Sequence, residues 1–316
     1  MTQAKGLNSK LMLGFETTYN NDPSDVSTKC VAMPFNTVSL KASQALNASA
    51  TITGRRDPVE PYRGNIDVAG DIVVPLDLTL FGEWLKACFG APTTTDDGGI
   101  YTHVYKPTSS QPSLVVEVGH PDIFVYAKYN GVKVSKIAFS VGGDGEVNCT
   151  ISTMGGKETI AATSVVTTPV TMIENKVDNK MAAIKIDGAE CAIATLFTLN
   201  IDFGLDGDQY SIGNAGFRGA VNEGIMAITG TLTAFFNDKT YLEKAAAGTP
   251  VAFELDITKG TSSLKFELPE AVFARNTPGV DGPKGIKQEL NYTAYYKEAA
   301  LGNAIAVTLE NDTATY

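Results

Sequence analysis

The chain has 316 residues, of which 43% are apolar and 19% are charged, and its formal net charge is −10 at pH 7. This length is enough for two domains of ordinary size, and the low charged fraction predicts that partner molecules cover part of the surface. The negative charge excludes a protein that binds nucleic acid through basic side chains, because such binding depends on Lys and Arg displacing counterions.

Most of the chain alternates between apolar and polar residues, a pattern typical of half-buried β-strands. The clearest alternating stretches, in chain order, are 113–118, 131–139, 146–152, 225–232, 251–257, 263–268 and 288–296. Two stretches have helical spacing instead, 79–89 and 239–247, and each is followed by a glycine and a proline that end a helix. The predicted core anchors of these helices are Phe81, Trp84 and Leu85 in the first, and Tyr241 and Leu242 in the second.

One passage occurs twice in the chain. Residues 62–90 and 217–248 both begin with an aromatic residue followed by Arg-Gly, continue through two alternating stretches, and end in a predicted helix. Each copy is preceded by a strand and a long polar loop. The repeat predicts a mainly β protein with two tandem domains of β-sandwich or barrel type, 1–162 and 163–316, each flanked by one short helix and carrying a long loop.

The sequence offers no convergent set of catalytic groups. It has two histidines, no Gly-x-Ser-x-Gly motif, and four widely spaced cysteines in apolar contexts, which are typical of small buried side chains. Aspartates cluster at 96–97 and 202–208 and could hold calcium, but the calcium-loop motif is missing, so solvated turns are favoured. We therefore predict a non-enzymatic protein without a metal or a cofactor.

The first residues lack the apolar core of a signal peptide, and no stretch approaches the ~20 apolar residues of a membrane helix. The chain is therefore expected to be made and kept in the cytoplasm, or to be released from it by lysis.

The loop before the first copy of the repeat concentrates charge, proline and an aromatic side chain. Arginine and tyrosine are over-represented at binding interfaces, and proline reduces the entropy lost when a loop docks. An exposed hairpin tip without a partner is the alternative. The candidate interface comprises Arg55, Arg56, Asp57, Pro58, Pro61, Tyr62 and Arg63, with Phe217 and Arg218 from the second copy.

Several segments together resemble the major tail tube proteins of long-tailed, non-contractile bacteriophages. They are AKGLNSKLMLGFETTY near the start, LNASATITGRRDPVEPYRGNIDVAGDIVVPLDL, the helix FGEWLKACFGAPTTT, YTHVYK, and FSVGGDGEVNCTISTMGGKE. The resemblance implies a structural subunit of the virion tail, assembled in the host cytoplasm. It also implies a β-sandwich or barrel flanked by a helix, and a loop that reaches into the neighbouring ring.

Subunits of that family form stacked rings around a channel for DNA, and many members contribute one domain to a ring of six. With two domains per chain, we expect trimeric rings of pseudo-hexameric symmetry, a lumen of net negative charge through which DNA passes without specific binding, and contacts to a tape-measure protein, a tail terminator and distal tail proteins. The alternatives are a capsid decoration protein or a host-binding adhesin, and, least favoured, an enzyme.

Overall fold

The computed structural model describes residues 3–280, 282–297 and 302–316, and this part of the chain is mainly β. The strands before residue 162 are β1 (Lys10–Phe15), β2 (Val31–Met33), β3 (Thr37–Val38), β4 (Lys41–Asn47), β5 (Tyr62–Pro75), β6 (Thr93–Asp97), β7 (Ile100–Tyr105), β8 (Leu114–His120), β9 (Val125–Val141), β10 (Asn148–Gly155) and β11 (Lys157–Ala161). The later strands are β12 (Ala182–Ile186), β13 (Ala189–Glu190), β14 (Ala194–Asp202), β15 (Ala227–Phe235), β16 (Val251–Lys259), β17 (Ser262–Phe273), β18 (Lys287–Ala294) and β19 (Ala306–Asn311).

The α-helices are α1 (Val26–Lys29), α2 (Phe81–Phe89) and α3 (Thr240–Ala247), and short 3-10 turns lie at Gly6–Asn8, Pro121–Ile123 and Asn179–Met181. The mainly β class is confirmed, and each alternating stretch lies largely within a strand. The largest difference is β9, which begins well before the predicted stretch 131–139. Its first part pairs with β8 and β11 in one sheet, and its second part pairs with β10 and β14 in another.

The two halves repeat the same order of strand pairing. In the first half β4 pairs with β5, β5 with β10 and β10 with β9; in the second half β14 pairs with β15, β15 with β18 and β18 with β17. A second layer is also repeated, β2–β1–β8–β9 in one half and β13–β12–β16–β17 in the other. The hairpin β6–β7 has no counterpart, since α3 leads directly into β16.

One strand pairing, which we call the junction, joins the strands of the two halves within the chain. Strand β9 of the first half pairs antiparallel with β14 of the second, with Ser140 opposite Thr198 and Lys136 opposite Asp202. The strands β4–β5–β10–β9–β14–β15–β18–β17 therefore form one continuous layer, which we call the joined sheet. One face of the joined sheet covers the core, where the Phe139 and Phe266 rings from the two halves lie 5.0 Å apart.

Helix α2 is fixed deep in the core. Phe81, Trp84 and Leu85 are all buried, as their spacing predicts. The buried carboxylate of Asp77 accepts hydrogen bonds from the Thr79 and Leu80 N–H groups at 2.7 and 2.6 Å, which satisfies donors at the start of the helix.

Helix α3 is held less firmly. Tyr241 and Leu242 are only half-buried, and α3 packs mainly on β17, with the Tyr241 and Phe273 rings 6.1 Å apart.

Candidate interaction surfaces

His103 and the four cysteines are buried inside the fold. His103 is buried between the Thr94 hydroxyl and the Thr313 carbonyl, each 2.8 Å from a ring nitrogen, and burial lowers its pKa. All four cysteines are buried free thiols, and burial raises the pKa of Cys30 to about 12. In the described part of the chain, no group of His, Cys, Asp or Glu side chains is arranged to hold a metal ion. No helix there is long and apolar enough to cross a membrane.

The hairpin of β4 and the first half of β5 projects from the end of the joined sheet, and we call it, with its loop 48–61, the arm. Residues 50–63 are all exposed, including every arm residue predicted at the interface. Large apolar side chains are exposed there as well: Leu46 is 69%, Ile52 96% and Tyr62 60% accessible. The arm therefore combines apolar and basic groups that have no cover in the single chain.

The ionic contact inside the arm does little to hold it. Arg55 pairs with Asp57 at 2.5 Å, and both side chains are largely exposed. Exposed pairs of this kind contribute about 0–1 kcal/mol to stability. The shape of the arm comes instead from the ladder of β4 and β5, in which Leu46 lies opposite Arg63 and Asn47 opposite Tyr62.

The loop of the second half lies in a different environment. Residues 203–226, which we call the crossing segment, run from the end of β14 across the first half to β5. The Phe203 and Phe89 rings pack edge to face with centroids 5.6 Å apart, and the Ile66 N–H donates to the Gly216 carbonyl at 2.8 Å. The crossing segment thus covers part of the first half, including the base of the arm at Ile66 and Asp67, whereas residues 50–63 of the arm are exposed in the single chain.

Arg218 secures the crossing segment. Its guanidinium is ion-paired with Asp67, donates to the carbonyls of Val68 and Gly155 at 3.0 and 3.2 Å, and also donates to Gly207. The side chain is only 8% exposed. This placement corrects the predicted interface role of Arg218, because its donors are already used within the chain. Phe217 beside it is half-buried.

A second polar contact secures the same segment. The buried ammonium of Lys133 lies 2.6 Å from the Glu223 carboxylate and donates to the Val221 carbonyl at 2.9 Å. The Gln111 N–H also donates to Glu223, at 2.8 Å. Burial alone raises the pKa of Glu223, but these donors outweigh it and the pKa is lowered. The carboxylate is therefore stabilised in its charged form.

A strand pairing outside the joined sheet also links the two halves of the chain. Strand β19 pairs with β7, with Leu309 opposite His103. Beyond β19 the Tyr316 hydroxyl donates to the Thr79 carbonyl at the start of α2, and its ring packs edge to face on His103 at 4.8 Å. No pattern in the amino-acid sequence indicates this contact or the Lys133–Glu223 pair. For Arg218 the only signal was its aromatic-Arg-Gly context.

The exposed face of the joined sheet is rich in hydroxyl and amide side chains. The strand registers place on it Asn148, Thr150, Ser152, Ser140, Thr198, Asn200, Thr229, Thr231, Thr233, Asn291 and Thr293. The charged side chains on this face are Lys41, Asp67, Asp71, Lys136, Asp202, Lys287 and Glu289. Acids and bases nearly balance, so the net charge of the face is small and negative.

Comparison with known proteins gives one family. A comparison with curated protein sequences finds no match. A family model described as "Phage tail tube protein" matches residues 6–294, which includes the arm, the joined sheet and the crossing segment. Because the match spans far more than half of the chain, the protein belongs to the phage tail tube family.

Proposed function

We propose that three copies of the chain close into a ring of pseudo-sixfold symmetry and that these rings stack into a tube. Membership of the family makes the protein a structural subunit of the tail tube, located in the virion tail. The pairing of β9 with β14 is the main support for the ring proposal. It places two groups of strands, which pair in the same order, side by side in one chain. Repeating that junction between copies gives six such groups from three chains.

We assign the repeats to residues 1–162 and 163–316. The irregular stretch between β11 and β12 contains the boundary, and the same pairing order on either side supports an internal duplication. The extra hairpin β6–β7, the exposed arm and the covered crossing segment make the two repeats unequal. A ring built from them therefore has true threefold symmetry.

The exposed face of the joined sheet is the proposed lining of the lumen. The sequence predicts an acidic lumen, and the registers support a refined version: a lining of neutral polar groups with a small negative excess. Few Lys and Arg side chains are present to bind phosphates, so DNA is expected to pass without specific binding during genome ejection.

The arm is the proposed contact between rings. It projects from one end of the joined sheet, and its apolar side chains lose exposed area if a neighbouring ring covers them. The tape-measure protein inside the lumen, and the tail terminator and distal tail proteins at the tube ends, are the further proposed partners.

Two measurements test this function. Native mass spectrometry of assembled rings should give the mass of three chains, and negative-stain images should show hollow rings or tubes. A protein that stays monomeric at every concentration, alone and with tail partners, would contradict the proposal. For the arm, Arg56→Ala combined with Arg63→Ala should leave rings intact and shorten the tubes. Tubes of normal length from this variant would remove the arm arginines from the stacking contact.

A further inference from the structure

The joined sheet ends at two open edges. At one end, β4 pairs with β5 and has no second strand partner among the described residues. At the other end, β17 stops at Phe273, and residues 274–280 continue beside β18 as an exposed, irregular stretch, which we call the closing segment. A long exposed edge of this kind promotes pairing with another chain.

The β9–β14 pairing within the chain serves as a template for how the β4 edge pairs with another strand. Leu199 of β14 lies opposite Gly230 of β15, and Lys41 of β4 lies opposite Ala69 of β5. A side chain at Gly230 would overlap the Thr198 carbonyl, and a side chain at Gly70 would overlap the Ser39 carbonyl. These two close approaches align β4 with β14, so that Lys41 is the equivalent of Asn200.

The template also fits the closing segment. Gly70 lies opposite Thr153 of β10, and Gly230 lies opposite Tyr292 of β18, which aligns β10 with β18. In the first half Ala138 of β9 lies opposite Thr150. The equivalent of Thr150 is Glu289, whose carbonyl accepts a hydrogen bond from the Asn276 side chain at 3.0 Å.

The next contact follows the same alignment. The Ala274 N–H donates to the Asn291 carbonyl at 2.7 Å, as expected if Ala274 takes the place of Lys136 opposite Ser152. Asn276 is thereby the equivalent of Ala138, and the closing segment already runs along β18 in the place that β9 holds beside β10.

We infer that the closing segment straightens on ring closure and extends β17, pairing antiparallel with β4 of the next copy. The inference rests on the proposed ring. In the template Ala138 lies opposite Asn200, so Asn276 of one copy lies opposite Lys41 of the next, and Ala274 lies opposite Ser43. Pro278 ends the stretch, because it has no N–H to contribute to a ladder.

The junction between copies differs in charge from the template. The template places Lys136 opposite Asp202, whereas the equivalents Ala274 and Ser43 are neutral. Asp67 is ion-paired with Arg218 in the first half, whereas the equivalent residue of the second half, Ala227, is neutral. Pairing between copies therefore depends mainly on backbone hydrogen bonds and is expected to respond less to salt than a contact built from ion pairs.

Paired cysteine substitutions test the register. Directly opposite residues have Cβ atoms about 4.5–5.5 Å apart and diagonal ones about 7–8 Å, and only the former approach disulfide geometry. Lys41→Cys with Asn276→Cys should link rings covalently into dimers and trimers on non-reducing gels. Ser43→Cys with Asn276→Cys, shifted by two residues, should link far less. The native cysteines are buried and should contribute no links.

A matched control separates the inference from the proposed ring. Ala138→Cys with Asn200→Cys places the same pair at the junction within the chain and should close in the monomer and in rings alike. Rings on microscope grids that fail to link through Lys41→Cys and Asn276→Cys, while the control closes, would overturn the inference and leave the ring proposal standing. Absence of rings from the unmodified protein would overturn both.

Discussion

Arg218 gives the sharpest test of how the two halves are held together. The change Arg218→Ala removes the ion pair to Asp67 and leaves the buried carbonyls of Val68 and Gly155 without this donor. Removing one partner of a fully buried ion pair typically costs about 3–5 kcal/mol. The cost lies at the lower end here, because the Asp67 side chain is 52% exposed and is resolvated. We therefore expect the free energy of unfolding to fall by about 3 kcal/mol.

The effect should be local before it is global. Amide hydrogen exchange should speed up in the crossing segment and at Ile66, whose N–H is bonded to Gly216. Urea unfolding of the monomer, followed by circular dichroism, measures the stability change. Arg63→Ala is the matched control, because Arg63 follows an aromatic residue and precedes glycine, as Arg218 does, but is exposed. It should change stability by less than about 0.5 kcal/mol.

The comparison has a clear negative result. If Arg218→Ala and Arg63→Ala unfold at the same urea concentration, and exchange in the crossing segment is unchanged, Arg218 does not secure the segment. Arg218→Lys refines the test, because the ammonium keeps the charge but loses the planar fork that reaches several carbonyls at once. Its stability should lie between those of the parent and Arg218→Ala.

Two further predictions concern the same union of the halves. Gly82→Ala should destabilise the chain by about 1–3 kcal/mol, because its Cβ would overlap the Tyr316 ring. Thermal unfolding measures this change, and Gly6→Ala is the control, because a Cβ at Gly6 meets open space. Equal stability of the two variants would contradict the contact between Gly82 and Tyr316. The lowered pKa of Glu223 adds stability above the ordinary carboxyl pKa that is lost as pH falls through the folded-state value. Glu223→Gln should lack this acid-dependent part in urea titrations at several pH values, and identical pH profiles of the parent and the variant would refute it.

The sequence predicted those parts of the fold that depend on local pattern. Alternation located β8, the second part of β9, β10, β15, β16, β17 and β18. The spacing of Phe81, Trp84 and Leu85 identified a helix buried in the core. It could not predict that β9 spans two sheets, because a strand's partners are set by tertiary packing and not by its own alternation. The half-burial of Leu242 could not be predicted for the same reason. Residue spacing indicates that α3 has an apolar face, but it does not indicate how much of that face other residues cover.

The interaction surfaces were predicted only in part. Residues 54–63 are exposed, as both interpretations of their composition require, and their interface role stays a prediction. The same aromatic-Arg-Gly pattern at 217–219 suggested an equivalent role for Arg218, yet this side chain is buried against the first half. The deciding partner, Asp67, lies 151 positions away in the chain. No local pattern records such a pairing.

The number of chains in a ring shows whether the two halves of one chain take the places of two subunits. Native mass spectrometry of purified rings, combined with averaged end-on images, measures it in one preparation. We expect a mass of three chains and six similar lobes related by threefold symmetry. Rings that contain six chains, or three chains with only three lobes, would contradict it.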